Sequence, residues 1–369
     1  MRIGVPKEIK VHEYRVGLTP ASVREYVAHG HAVVVESGAG AGIGAADAEY
    51  VAAGAEVTGD VDAVFACDMI VKVKEPQPQE WARLREGQIL YTYLHLASDR
   101  KQTLGLLESG VTAIAYETVT DSRGGLPLLS PMSEVAGRLS IQAAASSLEK
   151  HSGGEGVLLG GVPGVPPARV VVLGGGVVGK QAARIALGMG AEVTLLDTSL
   201  PRLRELDDIF VGQIRTRFST ADALEEEARH ADALIGAVLI PGASAPKLVT
   251  RSLLHSMKPG SVFVDVAIDQ GGCAETSVAT THADPTYVEC GVVHYCVANM
   301  PGAVPRTSTR ALNNATLPVG LLIADNGLGA LKDPHLAAGV NVHRGALVNR
   351  PVADSLAMEW SRLADVMHH

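Results

Sequence analysis

Four residues of this 369-residue chain suggest chemistry on a small molecule, because each stands near or just beyond the end of a predicted strand. Arg15 lies in the polar loop after the strand Arg2 to Val5. Lys74 ends the stretch MIVKV, His95 sits near the end of ILYTYLHLA, and Asp269 closes VFVDVAID. In open α/β sheets, ligands bind beyond the C-terminal ends of strands. A lysine and an arginine there suit a carboxylate. A histidine there polarises a carbonyl or moves a proton near neutral pH. Asp269 would serve as an acid or base. Each residue also has a plainer reading. Lys72 and Lys74 alternate with Val71 and Val73, so both would line a solvated edge face. Arg15 would be a surface arginine, His95 a hydrogen-bonded core histidine, and Asp269 a turn or cap aspartate in IDQGG.

A second constellation binds rather than reacts. Val170 to Leu173 reads as a buried parallel strand. Gly174, Gly176 and Gly179 follow it in G-x-G-x-x-G spacing, then a helix from Val177 to Met189 ended by Gly190, then a strand from Glu192 to Asp197. Gly174 allows the tight turn, Gly176 the approach of a pyrophosphate, and Gly179 close packing of helix on strand. The pyrophosphate would sit on free N–H groups at the helix N-terminus, and Asp197 would hold a ribose diol. That acid repels a 2′-phosphate and favours NAD over NADP; Arg202, close by, could soften the preference. Asp269 would then face the nicotinamide end of the cleft, with Asn299-Met300-Pro301-Gly302 lining it.

Strands alternate with helices along the whole chain, which marks an α/β protein. In the first part the strands are Arg2 to Val5, His31 to Glu36, Met69 to Val73, Ile89 to Leu94 and Val111 to Ala115. Thr19 caps a helix that Pro20 opens. Ser130-Pro131 repeats that signal before a long helix to about His151. Later apolar runs are Asp232 to Ile240, Ser261 to Ile268 and Val292 to Ala298, and a helical segment begins at Thr309. The expected architecture is two Rossmann-like domains. One is a doubly wound parallel-sheet nucleotide domain at 129–305. The other is a discontinuous catalytic domain at 1–128 plus 306–369.

Composition narrows the functional classes. The chain is 47% hydrophobic and 19% charged with net charge −9, which suits a well-buried globular protein. Without a Lys/Arg cluster, nucleic acid is not an expected partner. Prolines and Arg169 break the long apolar runs, so no membrane span is expected. MRIGVPKEIK lacks an apolar signal core. The four cysteines have neither zinc spacing nor a paired framework and read as buried thiols of a reducing, cytoplasmic compartment.

Several long motifs occur in order: MRIGVPKEIK…E-x-RV-x-L-x-P, VKVKEP, YLHLA, GVLLGGVPGV…VVVLGGGVVG, VDVAIDQGG, GVVHYCVANMPGAVPRTST and NNATLP. Together they closely resemble the bacterial alanine dehydrogenases over nearly the whole chain. The resemblance implies reversible NAD-dependent conversion of L-alanine to pyruvate and ammonium. It implies substrate binding by Arg15 and Lys74, and His95 with Asp269 as the catalytic pair. It implies cofactor contacts at Ser133, Gly174, Gly176, Val177, Val178, Gly179, Asp197, Arg202, Ser219, Val238, Leu239, Val297, Ala298, Asn299 and Met300. A homo-hexamer with no required metal is implied as well. Two other readings stay open: a nucleotide-binding transhydrogenase subunit docked on a membrane protein, and a dehydrogenase for a larger amino acid. Past NNATLP the chain departs from the family, with Val319 where an aromatic residue is common and a tail that matches only loosely.

Overall fold

The computed structural model describes residues 1–238 and 245–367. The chain divides into two compact units, Met1–Met132 with Gly302–His369, and Ser133–Pro301. The first unit opens with β1 (Arg2–Val5), β2 (Ala32–Glu36), β3 (Glu56–Thr58), β4 (Met69–Val71), β5 (Ile89–Thr92) and β6 (Thr112–Ala115). The second holds β7 (Arg169–Leu173), β8 (Glu192–Asp197), β9 (Arg215–Phe218), β10 (Ala233–Gly236), β11 (Val262–Asp265), β12 (Thr286–Glu289) and β13 (Val292–Tyr295). The chain then returns to the first unit for β14 (Val340–His343) and β15 (Ala346–Leu347).

The first sheet runs β15-β14-β6-β5-β4-β1-β2-β3, and the second β12-β13-β11-β10-β7-β8-β9. Both are parallel except at one side, where β14 and β15 in the first and β12 in the second join antiparallel. The two sheets share the order of their first five strands and differ at the edge beyond them. The first strand lies inside the sheet, and chain order reverses beside it, between β1 and β4 and between β7 and β10. Ligands of such sheets bind at these reversals. Central strands are buried along their whole length, as in β4, β5, β10 and β11, which is why they read as continuous apolar runs.

The capping signal at Thr19 holds, whereas Ser130 is itself the first residue of its helix and its Oγ donates to the Leu126 carbonyl at 3.0 Å. Thr19 Oγ1 accepts from the Ser22 N–H at 3.2 Å, with Pro20 opening the helix Pro20–Ala28. The helix Pro305–Asn326 contains Thr309, where the helical segment was expected to begin, and starts before it at Pro305. Its Asn313, from NNATLP, accepts from Thr19 N at 2.9 Å and Ser22 Oγ at 2.7 Å, and donates to the Gly17 carbonyl at 3.0 Å. That asparagine fastens the long helix to the start of the first one.

Three expectations need correction. The edge-face reading of Lys72 and Lys74 fails, because β4 lies between β1 and β5 and both lysines are buried. The strand predicted to run to Asp269 stops at Asp265, whose carboxylate accepts from Ala267 N at 3.0 Å and turns the chain into the short 3₁₀ segment Val266–Gln270. The cysteines are free, but Cys290 is only partly buried.

Candidate active site

The loop after β1 and the loop after β4 flank the reversal in the first sheet. Arg15 follows β1. It is not a surface arginine: it is buried, and its Nε and Nη2 donate to Glu13 at 2.7 and 2.6 Å. Burial works against the guanidinium charge, and Glu13 more than restores it. Nη1 donates to Met132 Sδ at 3.1 Å.

Lys74 lies just past β4. Its ammonium is 3.9 Å from Glu75 Oε2. Burial alone would raise the Glu75 carboxyl, but Lys74 and Lys10 outweigh it and hold that group below the ordinary range. Lys72 forms a separate, wholly buried cluster, with its ammonium 3.2 Å from Glu8 and 2.9 Å from Glu80.

His95 follows β5 in a left-handed backbone conformation, φ 51°. Such a conformation is costly for a residue with a Cβ and persists only where neighbours impose it. Glu117 imposes it, accepting from His95 N at 2.6 Å and Leu94 N at 3.2 Å. The imidazole stacks on Tyr93, with centroids 5.6 Å apart and planes 8° from parallel. Its side chain is 39% exposed, so the core-histidine reading fails. Tyr93 also interacts electrostatically with Arg15, and Glu75 with His95. The structure thus gathers Arg15, Lys74 and His95 in one corner of the first unit. Cations and an imidazole there suit a small acid whose carbonyl or amine carbon changes hybridisation.

In the second unit, Gly174 has φ 95°, and a Cβ on it would lie 2.7 Å from the Ala237 carbonyl oxygen of the neighbouring strand end. A Cβ on Gly179 would lie 1.8 Å from the Gly174 oxygen, so helix and turn touch only because it is glycine. A Cβ on Gly176 would meet nothing within 4 Å, and Gly176 caps the helix Val177–Gly188. The helix N-terminus is therefore bordered by open space, as a pyrophosphate requires. Asp197 ends β8, its Oδ2 accepting from Gly175 N at 2.6 Å and its Oδ1 from Ser199 N at 2.7 Å. Each oxygen keeps a lone pair for a ribose hydroxyl. Arg202 is committed to the Gly175 carbonyl at 2.6 Å and to Glu205 at 2.5 Å. Ser219 donates its N–H to the Asp197 carbonyl at 2.9 Å. These residues fit a bound dinucleotide.

The remaining candidates fall around this turn. Gly137 packs against the Val178 carbonyl, and Ser133 precedes it by one turn on the same helix face. Val238 follows Ala237 beside Gly174. Val297 and Met300 have their side chains in the core. Asp269 is exposed on its 3₁₀ segment, and its Oδ1 accepts from the Asn299 N–H at 3.3 Å. Asn299 has φ 64°, and its carbonyl contacts His282 Nε2 at 3.1 Å. The loops carrying Asp269 and Asn299 are thus tied together, and Ala298, next to Asn299, is half-buried. Leu239 lies outside the described residues.

Sequence reasoning missed Glu8, Glu13, Tyr93, Glu117 and Asp265. Glu13, two residues from Arg15, was a local signal. Glu117 had none, since it meets His95 only through the pairing of β5 with β6.

Comparisons with known proteins match nearly the whole chain. The family described as alanine dehydrogenase/PNT, N-terminal domain, matches residues 4–136, and its C-terminal domain counterpart matches residues 140–350. An alanine dehydrogenase of Halomonas elongata is 61% identical over 370 residues, covering 100% of both chains. A solved L-alanine dehydrogenase superposes with TM-score 0.93 at 52% identity, covering 97% of this chain and 99% of the other. A transhydrogenase from Sinorhizobium meliloti superposes with TM-score 0.79 at 28% identity, covering 95% and 99%.

Proposed function

This chain belongs to the alanine dehydrogenase/PNT family, and from that premise we propose which of its residues carry the reaction. It is an NAD-dependent dehydrogenase for L-alanine, converting it reversibly to pyruvate and ammonium. The observation that carries this reading is the 61% identity to an alanine dehydrogenase across the whole of both chains.

Lys74 and Arg15 hold the substrate carboxylate. That contact fixes the α-carbon for loss of its hydrogen, and orientation of this kind supplies much of the rate. Bound NAD supplies the hydride acceptor. Oxidation leaves an iminium on the substrate, and water adds to its carbon. Asp269 takes the proton of that water and assists proton transfer to the departing nitrogen. His95 hydrogen-bonds the new hydroxyl and takes its proton as the carbinolamine collapses to pyruvate and ammonia, which takes up a proton to leave as ammonium. In the reverse direction it protonates the oxygen. Asp197 holds the adenosine ribose, and the Gly174–Gly179 turn receives the pyrophosphate.

No helix among the described residues is long and apolar enough to cross a membrane. A cytoplasmic homo-hexamer belongs to the same proposal, supported by the family resemblance, and light scattering of the purified protein tests the assembly.

The deciding assay follows NADH with pyruvate and ammonium, beside controls lacking either one and a parallel run with NADPH. Loss of NADH only with both substrates is the expected result. Loss without ammonium would indicate a 2-hydroxyacid dehydrogenase. Binding without turnover would favour a transhydrogenase-like module. A His95→Ala enzyme that turned over at the wild-type rate would remove the role given to His95.

A further inference from the structure

The proposed carboxylate binder Lys74 lies where its strand has run out of partners. β4 pairs with β1 through Ile3–Met69 and Gly4–Ile70, and β1 ends at Val5. On its other side the chain stays paired, with Lys72 N donating to the Tyr91 carbonyl at 3.2 Å. Successive N–H groups of a strand point to opposite sides. The Val73 N–H therefore points to the side that β1 has left. A buried N–H without an acceptor is costly.

Glu8 fills the gap. Its Oε1 accepts from Val73 N at 2.7 Å and from Lys74 N at 3.2 Å. Its Oε2 accepts from the Lys72 ammonium at 3.2 Å, which supplies the buried counter-charge. Lys72 is shared with Glu80 at 2.9 Å, and its own carbonyl accepts from Tyr116 Oη at 3.0 Å. From the β5 side, Thr92 Oγ1 donates to the Lys74 carbonyl at 3.0 Å. Lys74 is thus gripped by side chains at its N–H and at its carbonyl. Glu8, Lys72 and Thr92 are all buried.

We infer that Glu8 and Thr92 are positioning residues for substrate binding: together they set the Lys74 backbone so that its ammonium meets the substrate carboxylate. Glu8 stands in for the missing stretch of β1, and Lys72 offsets part of the cost of burying its charge. This inference rests on the reading of Lys74 as a carboxylate binder.

The test compares Glu8→Gln with Glu8→Leu in the full-length protein, measuring KM for pyruvate, KM for NADH, kcat and melting temperature. Both variants remove the charge, and only glutamine keeps an acceptor for the two N–H groups. Glu8→Leu is expected to raise KM for pyruvate about tenfold, the scale of one weakened charged contact, with KM for NADH unchanged. Glu8→Gln is expected to stay within about threefold of wild type. A merely structural role would lower the melting temperature of both without separating their KM values for pyruvate, and that result would overturn the inference. Thr92→Val, near-isosteric and uncharged, decides the matter if Glu8→Leu does not fold: it should raise KM for pyruvate several-fold, and an unchanged value overturns the inference. Lys74→Met separates the two levels. If it leaves KM for pyruvate unchanged, the reading of Lys74 itself fails. If it raises that KM while the Glu8 and Thr92 variants do not, only the inference fails.

Discussion

The carboxylate of Glu117 lies 2.6 Å from the main-chain nitrogen of His95 and 4.0 Å from its Nδ1. One acidic side chain from the end of β6 therefore holds the unusual backbone of the proposed acid–base histidine and lies near one edge of its ring. Glu117→Ala leaves the Leu94 and His95 N–H groups without this acceptor and is expected to cost about 1–3 kcal/mol of stability. The same change should lower kcat/KM for pyruvate about tenfold to a hundredfold, through loss of orientation. Glu117→Gln should recover part of both. Thermal melting and steady-state rates read the two effects, and an alanine variant with wild-type kcat/KM would count against the arrangement.

The glycine turn separates packing from binding. Gly179→Ala forces a methyl group against the Gly174 carbonyl, and about 3 kcal/mol of destabilisation is expected, the upper range for overpacking. Gly176→Ala adds a methyl group to open space. It should melt near wild type and bind NADH more weakly, since that space is where a pyrophosphate would come. Equal NADH affinity in Gly176→Ala and wild type would move the cofactor off this turn.

Asp197 is expected to set the choice of cofactor. Asp197→Ser keeps a short acceptor at the end of β8 and removes the charge facing a 2′-phosphate. The ratio of kcat/KM for NADPH to that for NADH should rise at least about tenfold. Parallel assays with the two cofactors measure it, and an unchanged ratio would assign the discrimination elsewhere.

A pH dependence of stability is expected at the other end of the second unit. Burial pushes the Glu155 carboxyl up to about 7, and Asp232 beside it adds to the rise, while Lys258 and Lys150 oppose it. Its Oε1 is buried without a hydrogen-bond partner among the described residues. Between the ordinary value of 4.5 and about 7, the folded chain holds a proton that the unfolded chain has released. Stability from this group therefore falls as pH rises through that window and is level above it. Glu155→Gln should flatten that part of the curve and raise the melting temperature most at about pH 8. The measurement is the difference between the variant and wild-type melting curves from about pH 5 to pH 8, and a constant difference would assign the slope to other groups.

Much of this was legible in the residues. The βαβ segment from Arg169 to Asp197 has local causes throughout: an apolar strand, three spaced glycines, a helix and an acid. Local rules therefore identify it. Thr19 with Pro20 belongs to the same class, because a cap acts only on its own turn. Asp269 was harder. VFVDVAID reads as one strand, but the buried carboxylate of Asp265 accepts from Ala267 N, Cys273 N at 2.8 Å and Ser277 Oγ at 2.5 Å, and so turns the chain early. β14 was not legible, being a short strand whose pairing with β6 joins residues more than two hundred positions apart, and β15 pairs in turn with β14.

The α/β class, the glycine turn with its acid, and the identity of the residues that can bind a carboxylate or move a proton follow from the residues alone, since these depend on residue type and short spacing. The state of those residues depends on the three-dimensional packing around them. Arg15, Lys72 and Lys74 are buried because their strands or loops lie inside a sheet that spans sequence-distant segments. A charge buried there needs partners, and Glu13, Glu8, Glu75 and Glu80 supply them from loops and a neighbouring helical turn. Whether a lysine is a solvated edge residue or a clamped ligand for an acid depends on which strands flank it. That is a property of sheet order, which no local window of residues contains.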